Sequence, residues 1–275
     1  MIDVFGSTGF IGSNFTRLYN QESIKIPRES RASTSDEIVY FISTTHNYHV
    51  YEDPTLDVKT NLLVLTETLD RLRMTKNKNT CFNFISSWFV YGDTTLPARE
   101  DAPCNPKGFY SITKHCAEKL VESFCKTHDI QYRILRLCNV YGPGDTDSSK
   151  KKNALDFLIQ RMKSNEPISL YHGGEFFRDY MHVNDVCEAI YTVLKSDIRN
   201  EIVNIGTGKK QKFKELIDLA SVFTNYRGEI NFIDPPDFHK LVQVKDMYLD
   251  VKKLKGVGFF PKISIEEGIR ELCLK

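Results

Sequence analysis

Short apolar runs alternate along this chain with longer amphipathic ones. Ile2–Phe5 reads as a strand and Phe10–Tyr19 as a helix. Ile24–Ile26 predicts a short strand and Glu37–Ile42 a stronger one. Leu56, Leu63 and Leu69 are among the apolar positions of Pro54–Arg73, which predicts a long helix. Cys81–Ser86 predicts a buried strand, Tyr110–His128 a helix, and Tyr132–Leu137 the strand after it. Strands alternating with helices imply right-handed crossovers and a parallel sheet covered on both faces, a doubly wound α/β fold.

After about Tyr141 the character changes. Loops carry Gly142-Pro143-Gly144 and Gly173-Gly174, and the elements are shorter. Helices are predicted at Asn153–Ser164, Asn184–Lys195 and Phe213–Val222, and one more strand at Ile202–Ile205. The first turn of the chain is G-S-T-G-F-I-G, with Gly6, Gly9 and Gly12 between a strand and a helix. That is the setting of a dinucleotide loop: Gly6 permits the tight turn, Gly9 lets a pyrophosphate approach, and Gly12 lets helix and strand pack closely. The expectation is a Rossmann-like nucleotide-binding lobe over residues 1–141 and a smaller substrate-binding lobe over 142–275, with about 184–208 returning to the first sheet.

Composition narrows the partners. The 275 residues are 41% hydrophobic and 27% charged, with a formal net charge of +1, so no nucleic acid polymer or anionic membrane is expected. The seven cysteines are scattered without a C-x-x-C, which predicts neither a metal site nor disulfides and fits a reducing compartment. No apolar run reaches the ~20 residues of a membrane helix. A first strand starting at Met1 or Ile2 leaves no room for a signal peptide, so a cytoplasmic location is expected.

The spacing G-x-x-G-x-x-G, with F-I-G after its second glycine, resembles the extended short-chain dehydrogenase/reductase family, the NAD(P)-dependent sugar-nucleotide epimerases and dehydratases. Several later stretches fall in the family's order. D-E-I-V-Y-F-I-S-T at 36–44 is similar to its strand ending in two small residues, here Ser43 and Thr44, and Asn61 takes the asparagine position of the next helix. F-I-S-S-W-F-V-Y-G at 84–92 resembles its S-S-x-x-V-Y-G, and Tyr110 with Lys114 follows as Y-x-x-x-K, 23 residues after Ser87. R-L-C-N-V-Y-G-P-G at 136–144, R-D-Y-M-H-V-N-D at 178–185 and N-I-G-T-G at 204–208 continue the pattern almost to the end.

The resemblance implies roles. Ser87, Tyr110 and Lys114 are expected to be catalytic. Gly6, Thr8, Gly9, Phe10, Ile11, Gly12, Arg28, Ser43, Thr44, Asn61, Ser86, Tyr110 and Lys114 are expected to contact the cofactor. Ser87, Trp88, Asn139 and Arg178 are expected to meet a nucleotide-diphosphate sugar, with Arg178 on the diphosphate and His182 structural. Lys114, one helical turn from Tyr110, is expected to favour the phenolate and to orient the nicotinamide ribose. A homodimer through the Pro54–Arg73 and Tyr110–His128 helices is the family's habit.

The chain departs from the family in five places. Only about ten residues join Ile26 to Glu37, so the sheet is expected to lack an edge strand and the adenine side to be open. Pro27-Arg28-Glu29-Ser30-Arg31 stands where an acidic residue normally binds the adenosine ribose; Arg28 and Arg31 lean to NADP and Glu29 leaves NAD open. Val64 and Leu65 replace the family's glycine and threonine, and Lys212 stands where a serine or threonine normally caps a helix. Trp88-Phe89 replaces the Asp-Glu pair of the 4,6-dehydratases, which argues against elimination. The reading taken forward is an epimerase acting through a transient 4-keto sugar, with Tyr110 as acid and base. The alternative is an NADPH-dependent nucleotide-4-keto-6-deoxysugar reductase. A further alternative is a non-catalytic dinucleotide sensor. Two rival pairs, Tyr191–Lys195 and Tyr248–Lys252, lack a preceding serine motif.

Overall fold

In β1 (Ile2–Phe5) all four side chains are buried, as a strand covered on both faces requires. This computed structural model describes residues 1–145 and 153–274. After β1 come the helix α1 (Phe10–Leu18), β2 (Ser23–Lys25) and β3 (Glu37–Tyr40). A 3-10 turn at Asn47–Tyr51 leads into a helical stretch in three parts: α2 (Leu56–Val58), a π turn (Lys59–Leu63) and α3 (Val64–Thr75). Next are β4 (Cys81–Ser87), a 3-10 turn (Trp88–Tyr91), α4 (Phe109–Thr127), β5 (Gln131–Leu137) and β6 (Asn139–Tyr141). The second half runs α5 (Ala154–Lys163), β7 (Ile168–Tyr171), β8 (Phe177–Arg178), β9 (Tyr180–His182), α6 (Val183–Lys195) and β10 (Glu201–Ile205). It closes with β11 (Gln211–Lys212), α7 (Phe213–Thr224), β12 (Ile230–Ile233), α8 (Asp237–Val242), α9 (Lys252–Gly256) and α10 (Ile265–Leu274).

The main sheet has six parallel strands in the order β10-β5-β4-β3-β1-β2. The expected shortening is there: β2 is the edge, and residues 26–36 cross β1 without a helix of their own. Asp3 of β1, fully buried, ties that crossing down by accepting from the Ser35 amide at 3.0 Å and the Ser35 hydroxyl at 2.8 Å. β10 pairs with β5 from Glu201–Arg133 to Ile205–Leu137, so the segment after α6 does return to the sheet.

Two apolar clusters cover the sheet's faces, and a third, with Leu158, Ile168, Leu216 and Ile269, fills the second half. On α4, Tyr110, Lys114, Ala117, Glu118, Val121 and Cys125 are buried. They recur every three or four residues, one face of a helix laid on the sheet. The helix begins at Gly108, where a Cβ would lie 2.2 Å from the Asn47 Oδ1. That close approach lets the Asn47 oxygen accept from the Ser111 amide at 3.3 Å.

The helix expected as one piece over Pro54–Arg73 is interrupted by the π turn. The extra residue in that turn carries Asn61, buried and fully hydrogen-bonded toward the site, which local periodicity does not reveal. Leu65, in place of the family's threonine, is fully buried against the sheet. Lys212 precedes α7 without a side-chain cap and pairs with Glu175 instead.

Candidate active site

The glycine turn forms a cradle. Gly6 ends β1 at a φ of +78°, the left-handed region that favours glycine. A Cβ on Gly12 would sit 2.3 Å from the Gly6 carbonyl oxygen, so α1 starts directly against the strand end. Gly9 is the cap of α1 and makes no side-chain cap bond; the first turn holds no acidic side chain. Thr8 and Gly9 are exposed. The amides of Phe10, Ile11 and Gly12 in that first turn have no acceptor within the helix. Such amides at the positive end of a helix fit a pyrophosphate.

Arg28 and Arg31 follow β2 at the same end of the sheet. Arg31 spends its guanidinium locally, on Glu67 at 3.0 Å and on the Arg28 and Ser30 carbonyls at 2.9 and 3.1 Å. Arg28 is exposed. Of the two, Arg28 is the more exposed.

Ser87 ends β4, with its Oγ accepting from the Phe89 amide at 3.3 Å. Tyr110, in the first turn of α4, has the Ser87 and Ser43 hydroxyls beside its own, and its ring meets Phe89 edge-on at 5.7 Å. Burial pushes the phenol up to about 12, with the nearby Asp57 charge adding to the rise and the two serine hydroxyls opposing it. Lys114 lies one turn on, and only 2% exposed. Its Nζ donates to the Ile85 carbonyl at 2.6 Å and sits 4.1 Å from the Phe84 ring centre. Burial lowers its pKa to about 7, against the Glu118 charge. The expected help from Lys114 to a phenolate therefore does not appear in this state: both groups are desolvated, which favours their neutral forms.

The rival pairs are occupied elsewhere. Tyr191 donates to Glu22 at 2.6 Å, and Lys195 to the same carboxylate at 2.9 Å. Lys252 faces Asp250 at 3.5 Å. His182 lies at the start of α6, accepting from the Asn184 amide at 3.3 Å and facing Glu271 at 3.1 Å, a structural placement.

Three residues expected at the cofactor turn inward. The Ser86 hydroxyl points away from Ser87, as strand alternation dictates, and donates to Glu118 Oε1 at 2.5 Å. Asn61 is saturated with protein partners: its Oδ1 accepts from the Ser43 hydroxyl at 3.1 Å and the Thr44 amide at 2.9 Å. Its Nδ2 donates to the hydroxyls of Thr44 at 2.8 Å and Thr113 at 2.9 Å. Thr44 in turn donates to Asp57. Asn61 thus positions Ser43 and α4 with no hydrogen-bonding capacity left for a ligand, and the Thr44 hydroxyl has its proton committed to Asp57. Ser43, only partly buried, keeps its contact with Tyr110.

A cavity of about 470 Å³ is lined by Ser87, Tyr110, Trp88, Asn139 and Arg178, all of the expected substrate set. Trp88 stacks on Phe89 with ring centres 4.0 Å apart. The Asn139 amide side chain donates to the Asp179 carbonyl at 3.2 Å. Arg178 is 8% exposed, donates to the Val244 carbonyl at 2.7 Å and the Phe177 carbonyl at 2.9 Å, and lies over the Trp88 and Phe176 rings at 5.2 and 4.9 Å. Burial lowers its pKa to about 10, leaving it a cation at neutral pH. Among the described residues no carboxylate forms an ion pair with it. The neighbouring Asp179 instead accepts from the Thr207 and Gly208 amides at 3.0 and 2.9 Å, which explains why arginine and aspartate stand together in the sequence. His172, His239, Lys240 and Lys245 also line the cavity, and no described lining residue is acidic. These four went unnoticed in the sequence because they are scattered over loops and α8, with no shared motif.

A model of the NAD dependent epimerase/dehydratase family matches residues 30–206. The chain belongs to that family. As a member it is 32% identical over 222 residues to a putative UDP-glucose 4-epimerase of Methanocaldococcus jannaschii, covering 80% of this chain and 70% of the relative. It is 27% identical over 242 residues to a GDP-6-deoxy-D-mannose reductase of Pseudomonas aeruginosa, covering 86% of this chain and 79% of the relative. Two further curated relatives are longer, and the match spans 59% and 57% of their lengths. The UDP-glucose 4-epimerase of Thermotoga maritima, solved with UDP-glucose, superposes with a TM-score of 0.86 at 25% identity, over 99% of this chain and 97% of that one. No helix among the described residues is long and apolar enough to cross a membrane.

Proposed function

We propose that this family member is an NAD(P)-dependent nucleotide-sugar epimerase that works through a transient 4-keto sugar. The observation that carries the reading is one cavity, with no acidic residue among its described lining, bounded both by Ser87 and Tyr110 and by the buried cation Arg178. Among the described residues this buried guanidinium has carbonyls and aromatic faces for partners and no carboxylate in an ion pair, only the charge of Asp246 acting from farther off, and a diphosphate would supply a partner in bidentate geometry. The residues of 1–141 would hold the cofactor at the glycine cradle, and those of 142–275 most of the substrate.

When bound, the nicotinamide supplies hydride transfer at the sugar carbon. This chain does the rest. Tyr110 Oη takes the proton from the C4 hydroxyl and returns it, Ser87 Oγ holds the same oxygen, and Arg178 anchors the diphosphate so that C4 lies near Tyr110. Trp88 and Phe89 wall the cavity without a carboxylate, which supports simple redox chemistry at C4 over elimination.

A second reading, an NADPH-dependent reductase of a nucleotide 4-keto-6-deoxysugar, is favoured by the open edge at β2 and the exposed Arg28. A non-catalytic sensor would have no need of the Ser87–Tyr110 contact. Purified protein given UDP-, dTDP-, CDP- and GDP-sugars and their 4-keto derivatives, with NADH and NADPH in parallel, separates the three. Epimeric products without net change at 340 nm support the epimerase; stoichiometric loss of absorbance supports the reductase; no turnover of any sugar sinks both.

Phe109, Ile112 and Leu120 on α4 are exposed, with Cys116 among them, forming a stripe at positions i, i+3, i+7 and i+11. This supports a homodimer in which α4 meets its copy. Sedimentation at twice the chain mass, reduced to the chain mass by Ile112→Glu, is the expected result; a wild-type monomer would refute it.

A further inference from the structure

Arg178 is held by the segment that follows α8, donating to the carbonyls of Val244 and Lys245. The far end of that segment is firm: the Met247 amide donates to the Phe177 carbonyl at 3.1 Å, and Met247 and Leu249 are buried. At the near end α8 is lightly held. Of its six residues only Val242 is buried, and Lys240 and Leu241 are exposed. A short helix with so little of itself in a core belongs to the low-stability end of a fold.

Among the described residues, a group of rings joins α8 to the first half of the chain. Phe238 meets Tyr48 and Tyr51 edge-on, at 5.1 and 4.7 Å. His239 packs on Tyr171 at 4.8 Å, and its Nδ1 shares a hydrogen bond of 2.9 Å with Tyr48 Oη, across 191 positions of sequence. Tyr48, Tyr171 and His239 all line the cavity. The Asn47–Tyr51 turn is the firm side of this contact. Asn47 is buried, and its Oδ1 accepts from the Ser111 amide, the residue after Tyr110. That amide can only donate, so the Asn47 oxygen faces it and the turn is pinned to the start of α4. A continuous path therefore runs from Arg178 through Val244 and Lys245 to α8, across the His239–Tyr48 bond to Asn47, and on to the helix that carries Tyr110.

We propose that Tyr48 and His239 are positioning residues: their hydrogen bond latches α8 over the cavity and fixes the span between Arg178 and Tyr110. A sugar nucleotide gripped by its diphosphate at one end and reacting at the other needs that span held, because a misplacement of about 1 Å can cost ~10²-fold in rate. The role rests on the reading of Arg178 as the diphosphate anchor and Tyr110 as the acid–base group, but the latch itself is tested without turnover.

Tyr48→Phe keeps the ring contacts and removes only the hydroxyl. In the ligand-free protein, hydrogen–deuterium exchange at the amides of 240–243 is expected to be roughly fivefold faster in this variant, with α4 unchanged. On the accepted sugar nucleotide, kcat is expected to fall roughly tenfold with KM within about twofold. The double variant with His239→Phe is expected to be no slower than the slower single variant, since both cut the same bond. Unchanged exchange overturns the inference. So does an unchanged kcat, a loss confined to KM, or a double variant whose loss is the product of the two single losses. If Tyr48→Phe fails to fold, His239→Phe is read by the same exchange and rate criteria. Failure of the functional reading looks different: exchange is faster in the variant, but the wild type turns over no sugar nucleotide. The latch then stands, and the positioning role falls with the reading it rests on.

Discussion

Replacing Tyr110 with phenylalanine is expected to lower kcat/KM by roughly 10³-fold while the protein stays folded. The ring would keep its edge contact with Phe89 at 5.7 Å and lose only the hydroxyl. That hydroxyl lines the cavity beside Ser87, where the substrate oxygen is expected to sit. No carboxylic acid stands in for it, because no described residue lining the cavity is Asp or Glu. Steady-state rates on the accepted sugar nucleotide, with thermal melting as the control, measure the effect. Activity within threefold of wild type would remove Tyr110 from the chemistry.

Glu118→Ala is expected to cost about 3–5 kcal/mol of stability, because it strands a buried cation. Glu118 and Arg136 are 1% and 2% exposed and pair in a fork, at 2.9 Å from Nε and 2.7 Å from Nη2. Burial works against the Glu118 charge, but hydrogen bonds from His115, Arg136 and Ser86 outweigh it and hold the carboxyl at about 2. A depressed pKa means that the pair's contribution is complete above the unfolded value of 4.5 and fades as pH falls toward 2. Urea unfolding at neutral pH measures the loss. A change under 1 kcal/mol would show that Arg136 finds water or another partner. Replacing both residues with methionine is expected to recover much of the loss, since the penalty comes from the unpaired charge. The pair also bears on the site: it fastens Ser86 on one side of β4, while Ser87 reaches the cavity on the other.

What the sequence revealed is mostly what is local. The glycine turn, the serine pair ending β4 and the Tyr110–Lys114 spacing each lie within a few residues, and each is found where its motif predicts. The missing edge strand was legible too, since ten residues cannot hold a strand and a helix. Pairings across the chain were not legible. Nothing near Glu118 points to Arg136, and nothing near Asp57 points to Thr44. The π turn hid because the apolar period continues through it, and only the Asn61 contacts reveal its purpose. Asn61 and Ser86 were expected at the cofactor; the structure gives their side chains to the protein instead, because both are buried among stronger partners. Burial, again a tertiary property, also explains why Lys114 is drawn toward neutrality rather than acting as a fixed charge beside Tyr110.

The central claim is that one cavity holds a nucleotide sugar between Arg178 and the Ser87–Tyr110 pair. A crystal structure of the protein with NAD and UDP-glucose, or with whichever sugar nucleotide it turns over, tests this most directly. The account predicts the diphosphate on the Arg178 guanidinium and the sugar C4 oxygen within hydrogen-bond distance of both Ser87 Oγ and Tyr110 Oη. A nucleotide sugar bound away from Arg178, or one whose C4 oxygen faces neither hydroxyl, would contradict it.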